Sequence, residues 1–364
     1  MNITLIAGAR PNFMKIAPLI KAIKLAQAEG KNIHYRLVHT GQHYDNKMSG
    51  DFFQQLNIPA PDVNLECGGG SQADQTAAIM IKFEKELLEN RPTLVLVVGD
   101  VTSTMACTIT AKKLCVDVVH VEAGIRSGDM TMPEEINRIV TDAICDHFFT
   151  TSELANTQLR KNGILDNRIH FVGNTMIDTL YQNLDNFCKP GLWKENNLKH
   201  NNYYLITLHR PSNVDDPNNL SKIIDILLEE TGYLPVIFPL HPRTKKNLDK
   251  KYLNNPKLIV AEPMGYLEFI YLVKHSKAVI TDSGGITEEA TVLGIPCVTL
   301  RNSTERPETV TWGSNELAGI NPKNLIPYLE KIKNNEWKKS SVPPLWDGKT
   351  SVRIINKLIE LYYN

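Results

Sequence analysis

No stretch of this 364-residue chain approaches the roughly 18 to 20 consecutive apolar residues that a membrane-spanning helix needs. The hydrophobic residues make up 42% of the sequence but are divided into short runs. Charge of one sign is not in excess either: 40 Lys and Arg balance 40 Asp and Glu, and the pI is about 7.1. A dedicated nucleic-acid binder normally carries a basic surplus, so that class is disfavoured. The six cysteines, at 67, 107, 115, 145, 188 and 297, form no C-x-x-C pair and no His/Cys cluster at zinc spacing. They read as buried thiols of a reducing cytoplasm. The N-terminus, Met1 to Gly8, lacks the basic segment of a secretion signal and reads as a first β-strand. No fixed-period repeat or low-complexity tract is present.

What is present is an alternation of short apolar runs with helical patterns. Runs at Ile3 to Ala7, Arg36 to His39, Leu94 to Val98, Val118 to Val121, His147 to Thr150 and Ile169 to Val172 are spaced by helix-length segments. That spacing predicts βαβ units and a parallel sheet covered on both faces. A second series begins at Tyr204 to Leu208 and continues through Val236 to Leu240, Leu258 to Ala261, Ala278 to Thr281 and Val298 to Leu300. At about 150 residues per domain the length also suits two domains. Between the series, Asn174 to Asn202 is rich in Asn and Lys, and the boundary is placed near 175, giving domains 1–175 and 176–350. Two doubly wound α/β halves facing each other across a cleft would bind ligands at the carboxyl ends of their strands.

The residues at those ends point to anionic, acid/base chemistry. Gly8-Ala9-Arg10-Pro11-Asn12-Phe13-Met14-Lys15 is a glycine turn feeding a helix, with cations at Arg10 and Lys15. It lacks the G-x-G-x-x-G dinucleotide fingerprint, so NAD is poorly supported; an ordinary βα turn with solvated cations stays open. Asp100, after the strand ending Val98-Gly99, is a general base or an N-cap. Glu122 follows the next strand, and Glu134 and Glu135 open a helix behind Pro133, where the helix dipole alone would favour acids. Carboxylates crowded on consecutive strand-end loops can split their pKa values and supply both a general acid and a general base.

The second half offers complementary groups. His209 follows its first strand, and Asp282-Ser283-Gly284-Gly285 leads a helix bearing Glu288 and Glu289. Amides at such a helix start can cradle phosphate, and Glu289 can accept hydrogen bonds from a ribose; a capped turn without function remains the alternative. Arg301 and Arg306 lie beyond a later strand, with guanidinium forks that suit phosphate. His241 also follows a strand, and its role stays open.

Taken in order, G-A-R-P-N-F-M-K, G-Q-H-Y-D, G-D-V-T-S-T, V-E-A-G-I-R-S, M-P-E-E-I-N-R, V-G-N-T, H-R-P, T-D-S-G-G-I-T-E-E and T-E-R-P-E resemble the non-hydrolysing UDP-N-acetylglucosamine 2-epimerases over essentially the whole chain. The resemblance implies two Rossmann-like domains in a GT-B-like arrangement, with the last helix, about Ser351 to Tyr363 in the tail 351–364, packed back on the first domain. It implies reversible inversion at C2 of UDP-GlcNAc, giving UDP-ManNAc for surface polysaccharides, by elimination and re-addition of UDP through 2-acetamidoglucal. By matching motifs, Asp100, Glu122 and Glu134 are the acid/base and cation-stabilising carboxylates, and His209 stabilises the departing pyrophosphate. Arg10 and Lys15 contact the diphosphate or sugar, Ser283, Gly284 and Gly285 hold phosphate, Glu289 binds ribose, and Arg306 adds charge. Met264 presents backbone to uracil, with Phe269 nearby. The implied enzyme needs no metal or redox cofactor, is cytoplasmic, and is a homodimer with no nucleic-acid or membrane partner.

Two departures from the family pattern carry expectations. Many bacterial members have T-R-P-E where this chain has Ala9-Arg10-Pro11-Asn12, and Q-H-R-x-M where it has Gln42 to Met48. The second segment helps form an allosteric UDP-GlcNAc site in regulated members, so weak or no activation by a second UDP-GlcNAc is expected. The G-Q-H-Y-D and M-P-E-E-I-N-R wording is also similar to relatives acting on UDP-2,3-diacetamido-2,3-dideoxyglucuronic acid, the alternative substrate. A hydrolysing 2-epimerase, a GT-B glycosyltransferase and a non-catalytic nucleotide-sugar sensor are the competing readings.

Overall fold

Every strand pairing in the computed structural model is parallel. The structure describes residues 1–41, 56, 58–240 and 242–362, without the side chains of 10, 242 and 243. The segment Gln42 to Met48 and His241 therefore lie outside the described residues, as does the side chain of Arg10. The chain divides into two compact units, Met1–Gln182 with Pro344–Asn364, and Asn183–Pro343.

In the first unit, β1 (Asn2–Ala7), α1 (Arg10–Ala28), β2 (His34–His39), β3 (Val63–Asn64), α2 (Gln72–Glu89), β4 (Leu94–Val98), α3 (Thr102–Lys113), β5 (Asp117–Val121), α4 (Pro133–Ile144), β6 (His147–Thr150), α5 (Glu153–Lys161), β7 (Ile169–Phe171) and α6 (Thr175–Gln182) follow in order. The seven strands run β3-β2-β1-β4-β5-β6-β7. The order reverses between β1 and β4, where doubly wound sheets open a crevice at the strand ends. β4 reads Leu-Val-Leu-Val-Val and is buried throughout, the continuous apolar run of a strand covered on both faces.

The chain returns to this unit at its end. The last helix, Thr350–Tyr362, packs on α1 and α6. Its first turn is held by Asp178 of α6, whose carboxylate accepts from the backbone N–H groups of Thr350 (3.0 Å) and Ser351 (2.6 Å). Just before it, the fully buried Trp346 donates its indole N–H to the Thr151 carbonyl at 3.1 Å. Gly173 makes this return possible: its φ is +103°, and a Cβ there would meet the Leu345 carbonyl oxygen at 2.1 Å.

The second unit contains α7 (Gly191–Glu195), β8 (Tyr204–Thr207), α8 (Pro211–Val214), α9 (Pro217–Glu230), β9 (Val236–Pro239), α10 (Pro242–Asn247), β10 (Leu258–Ala261), α11 (Tyr266–His275), β11 (Ala278–Thr281), α12 (Gly284–Leu293), β12 (Cys297–Thr299), α13 (Pro307–Thr311), β13 (Asn315–Leu317) and α14 (Leu325–Lys333); the helix Thr350–Tyr362 is α15. Its six strands run β10-β9-β8-β11-β12-β13, again reversing beside the first strand. Tyr204, Ile206, Val236, Phe238, Ile280 and Val298 pack with α9 and α14 residues into one core.

Candidate active site

The first unit gathers its acids around the ends of β1, β4 and β5. Asn12 ties two of these together: its carbonyl accepts from the amides of Gly8 and Ala9 (3.2 and 3.0 Å), and its amide donates to Val98 O at the end of β4 at 3.0 Å. One turn later, the Lys15 ammonium lies 2.6 Å from Glu122 Oε2, with only 11% and 3% of the two side chains exposed. Glu122 itself sits at φ +70°, in the left-handed region that non-glycine residues seldom occupy. Gly99 has φ +67°, and a Cβ there would come within 2.9 Å of the Lys15 ammonium. A side chain there would strain the backbone and press on that ammonium.

Asp100 next to it is paired with Arg138 of α4 and keeps 30% of its side chain exposed. Arg138 also binds Glu135 Oε2 at 2.8 Å. Glu135 accepts from the backbone amides of Ser127 (2.9 Å) and Gly128 (3.0 Å). Burial works against its charge, but these donors and Arg138 outweigh it and hold its carboxyl below the usual glutamate value. Glu135 is therefore the acid that shapes the loop after β5, while its neighbour Glu134 is half-buried and makes no ion pair with a described residue.

In the second unit Asp282, fully buried at the end of β11, organises the turn. It accepts from the backbone amides of His209 (3.1 Å) and Arg210 (2.9 Å) and from the Asn213 side chain at 3.0 Å. Its Oδ1 also lies 2.8 Å from His209 Nδ1, and the His209 ring remains 43% exposed. Burial raises the Asp282 pKa, and the His209 contacts and amide donors more than offset that, holding it low. The carboxylate therefore fixes the ring orientation by accepting a hydrogen bond from Nδ1–H.

Ser283 precedes α12 without using its side chain as a cap. Gly284 and Gly285 have no positive φ, and a Cβ on Gly285 would meet nothing within 4 Å. Nothing inside the protein demands glycine there. Glu289 on α12 is 4% exposed, and burial pushes its carboxyl up to about 8, opposed by the neighbouring Tyr266 hydroxyl and reinforced by the Glu288 charge. The Tyr266 hydroxyl beside it is buried as well.

Arg306 is 8% exposed and its Nε is paired with Glu288, not directed solely at solvent. Arg301 forms a two-pronged pair with Glu305 at 2.7 and 2.6 Å. Met264 and Phe269 are half-buried beside the start of α11. A cavity of about 590 Å³ opens at β10, lined by Met264 with Pro190, Glu262 and Glu268; Ser283, Gly285 and Glu289 do not line it. Asp282, Glu135, Arg138 and Tyr266 were not singled out by sequence as site residues, although the first three lie within motifs that were and Tyr266 lies between Met264 and Phe269.

The family model for UDP-N-acetylglucosamine 2-epimerase matches residues 25–359. The UDP-N-acetylglucosamine 2-epimerase of Methanocaldococcus jannaschii is 41% identical, with 98% of this chain and 99% of that protein covered. The UDP-2,3-diacetamido-2,3-dideoxy-D-glucuronate 2-epimerase of Pseudomonas aeruginosa is also 41% identical, over 88% of each chain. The crystal structure of the Methanocaldococcus jannaschii enzyme in complex with UDP-GlcNAc and UDP superimposes with a TM-score of 0.86, covering 99% of this chain and all of that one. On this full-length agreement of sequence and fold, the chain belongs to the UDP-N-acetylglucosamine 2-epimerase family.

Proposed function

We propose that this protein interconverts UDP-GlcNAc and UDP-ManNAc without hydrolysis, feeding surface polysaccharide synthesis. The observation that carries this is the 41% identity, over 99% of the chain, to an enzyme whose crystal structure holds UDP-GlcNAc and UDP. The C2 proton of the sugar is a weak acid, so the C1–O bond breaks first. UDP departs with the bonding pair, a carboxylate takes the C2 proton, and 2-acetamidoglucal remains; UDP then re-adds at C1 while a proton reaches C2 from the other face.

The pairing pattern suits a division of labour among the acids. Glu122, buried against Lys15, stabilises positive charge on the sugar ring electrostatically. Asp100, paired with Arg138 and partly exposed, and the half-buried Glu134 exchange protons with C2. His209, oriented by Asp282, meets the leaving pyrophosphate. Ser283, Gly284 and Gly285 take phosphate, the space beyond Gly285 allowing close approach. Glu289 takes the ribose, Met264 and Phe269 the uracil, and Arg10, Lys15 and Arg306 supply charge.

Identity is equal to the Pseudomonas diacetamido-glucuronate epimerase, so that substrate is the second reading. We further propose a cytoplasmic homodimer, built on the exposed Ile136 and Ile139 of α4 and Ile81 and Leu88 of α2. Incubation with each UDP-sugar in turn, with products separated by ion-exchange chromatography, tests the reaction. UDP-ManNAc from UDP-GlcNAc supports it; free N-acetylmannosamine with UDP, or conversion of the uronate alone, overturns it.

A further inference from the structure

β5 runs through the first sheet between Val97 of β4 and Phe148 of β6, and His120 stands in it at 0% exposure. A ring so buried must satisfy both nitrogens. Nε2 is 2.8 Å from the Gly99 carbonyl oxygen, and Nδ1 is 2.7 Å from Asp142 Oδ1. A carbonyl oxygen cannot donate, so Nε2 carries a proton. Asp142 accepts on its other oxygen from the Gly124 amide (3.0 Å) and from Arg126 Nη1 (2.6 Å). Burial opposes its charge, but His120 and Arg126 prevail and keep it ionised. Both ring nitrogens are thus engaged, Nδ1 with Asp142 and Nε2 with Gly99.

The groups so joined are the supports of the site. Gly99 immediately precedes Asp100, and its amide donates to Val121 O at 3.0 Å. Gly124 lies two residues beyond Glu122, whose own amide is held by Phe149 O at 2.9 Å. Asp142 is on α4, the helix that opens with Glu134 and carries Arg138 to Asp100. One ring and one carboxylate thus connect both strand-end loops and the helix. A buried ion pair is a poor source of stability compared with apolar packing; what it adds is direction.

We propose that His120 and Asp142 form a positioning pair for the epimerisation, in which the ring, held at both nitrogens, locks the Gly99 and Gly124 loops so that Asp100, Glu122 and Glu134 hold one geometry. The proposal rests on the reading of those three acids as the reacting carboxylates. An amide in its place has its donors on a single nitrogen and cannot span Gly99 O and Asp142 Oδ1 as the ring does, so one contact is lost and the released loop shifts. Misplacement of catalytic groups by about 1 Å costs as much as 100-fold in rate.

The test is His120→Gln, with kcat, KM and UDP affinity measured alongside the folded state, together with ¹⁵N NMR of the histidine rings in the wild-type protein. The expected result is a ten- to hundredfold loss in kcat with UDP affinity within twofold, and a proton on His120 Nε2. The ring is assigned by its absence from the variant or, if the variant fails to fold, by its through-space contacts to Val97 and Phe148. A folded variant with kcat within twofold of wild type overturns the proposal, as does an Nε2 that carries no proton. Wild-type protein that epimerises no UDP-sugar overturns the activity reading instead, and the ring signal, independent of turnover, separates the two failures.

Discussion

The Lys15 ammonium and the Glu122 carboxylate lie 2.6 Å apart in the interior of the first unit, joining the first turns of α1 to the residue that ends β5. Removing the Glu122 charge leaves the Lys15 ammonium buried without this carboxylate, and breaking a buried pair in this way typically costs about 3–5 kcal/mol. Glu122→Gln is therefore expected to lose turnover on the order of 100-fold or more and also to lower Tm clearly. Lys15→Met combined with Glu122→Gln recovers Tm but not activity. Recovery of activity in the double variant contradicts a role for the Glu122 charge.

Asp100 differs in being partly exposed, and its loss leaves Arg138 still bound to Glu135 at 2.8 Å. Asp100→Asn should keep the wild-type Tm within a few degrees while losing turnover on the order of 100-fold. Thermal melts beside initial rates check both halves; near-wild-type turnover removes Asp100 from the proton-transfer scheme.

Glu289 makes stability depend on pH. Its carboxyl titrates at about 8 in the fold and near 4.3 when unfolded. Between those values the folded state holds a proton that the unfolded chain has released, so stability falls as pH rises through this window, by at most about 1.4 kcal/mol per pH unit. Melting temperatures of the ligand-free protein should decline from pH 5 to 8, and Glu289→Gln should flatten the decline. A variant profile parallel to wild type contradicts the assignment.

Asp178 serves α15 as its N-terminal acceptor for two amides. Asp178→Ala leaves both buried without a partner and should cost about 2 kcal/mol. Limited proteolysis should then release the C-terminal segment faster than in wild type. Unchanged cleavage and Tm argue that α15 is held by its apolar face alone.

The departure at Gln42 to Met48 leads to a kinetic expectation, namely a hyperbolic dependence of velocity on UDP-GlcNAc. A sigmoidal curve contradicts it.

Much of the fold was legible because doubly covered parallel strands must be apolar throughout. Leu94 to Val98 and Ala278 to Thr281 are buried from end to end and stand out as runs. The edge strands Val63–Asn64 and Asn315–Leu317 were not legible: two and three residues long and half-buried or polar in part, they show no periodicity. The carboxylates could be found because strand ends can be found. Their partners could not, since Lys15 and Glu122 are 107 positions apart and meet only through the β1-β4-β5 order. His120 shows the same limit. Its sequence context, Val-Val-His-Val, is that of a core residue, and only the packing of α4 against the sheet brings Asp142 to its ring.

The most direct test of the account is proton NMR of the purified protein with UDP-GlcNAc in D₂O, following the anomeric signals and the hydrogen at C2. The account predicts UDP-ManNAc accumulating to equilibrium with deuterium at C2 and no free N-acetylmannosamine. UDP-ManNAc that retains the original C2 hydrogen, or a spectrum that never changes although UDP binds, contradicts it.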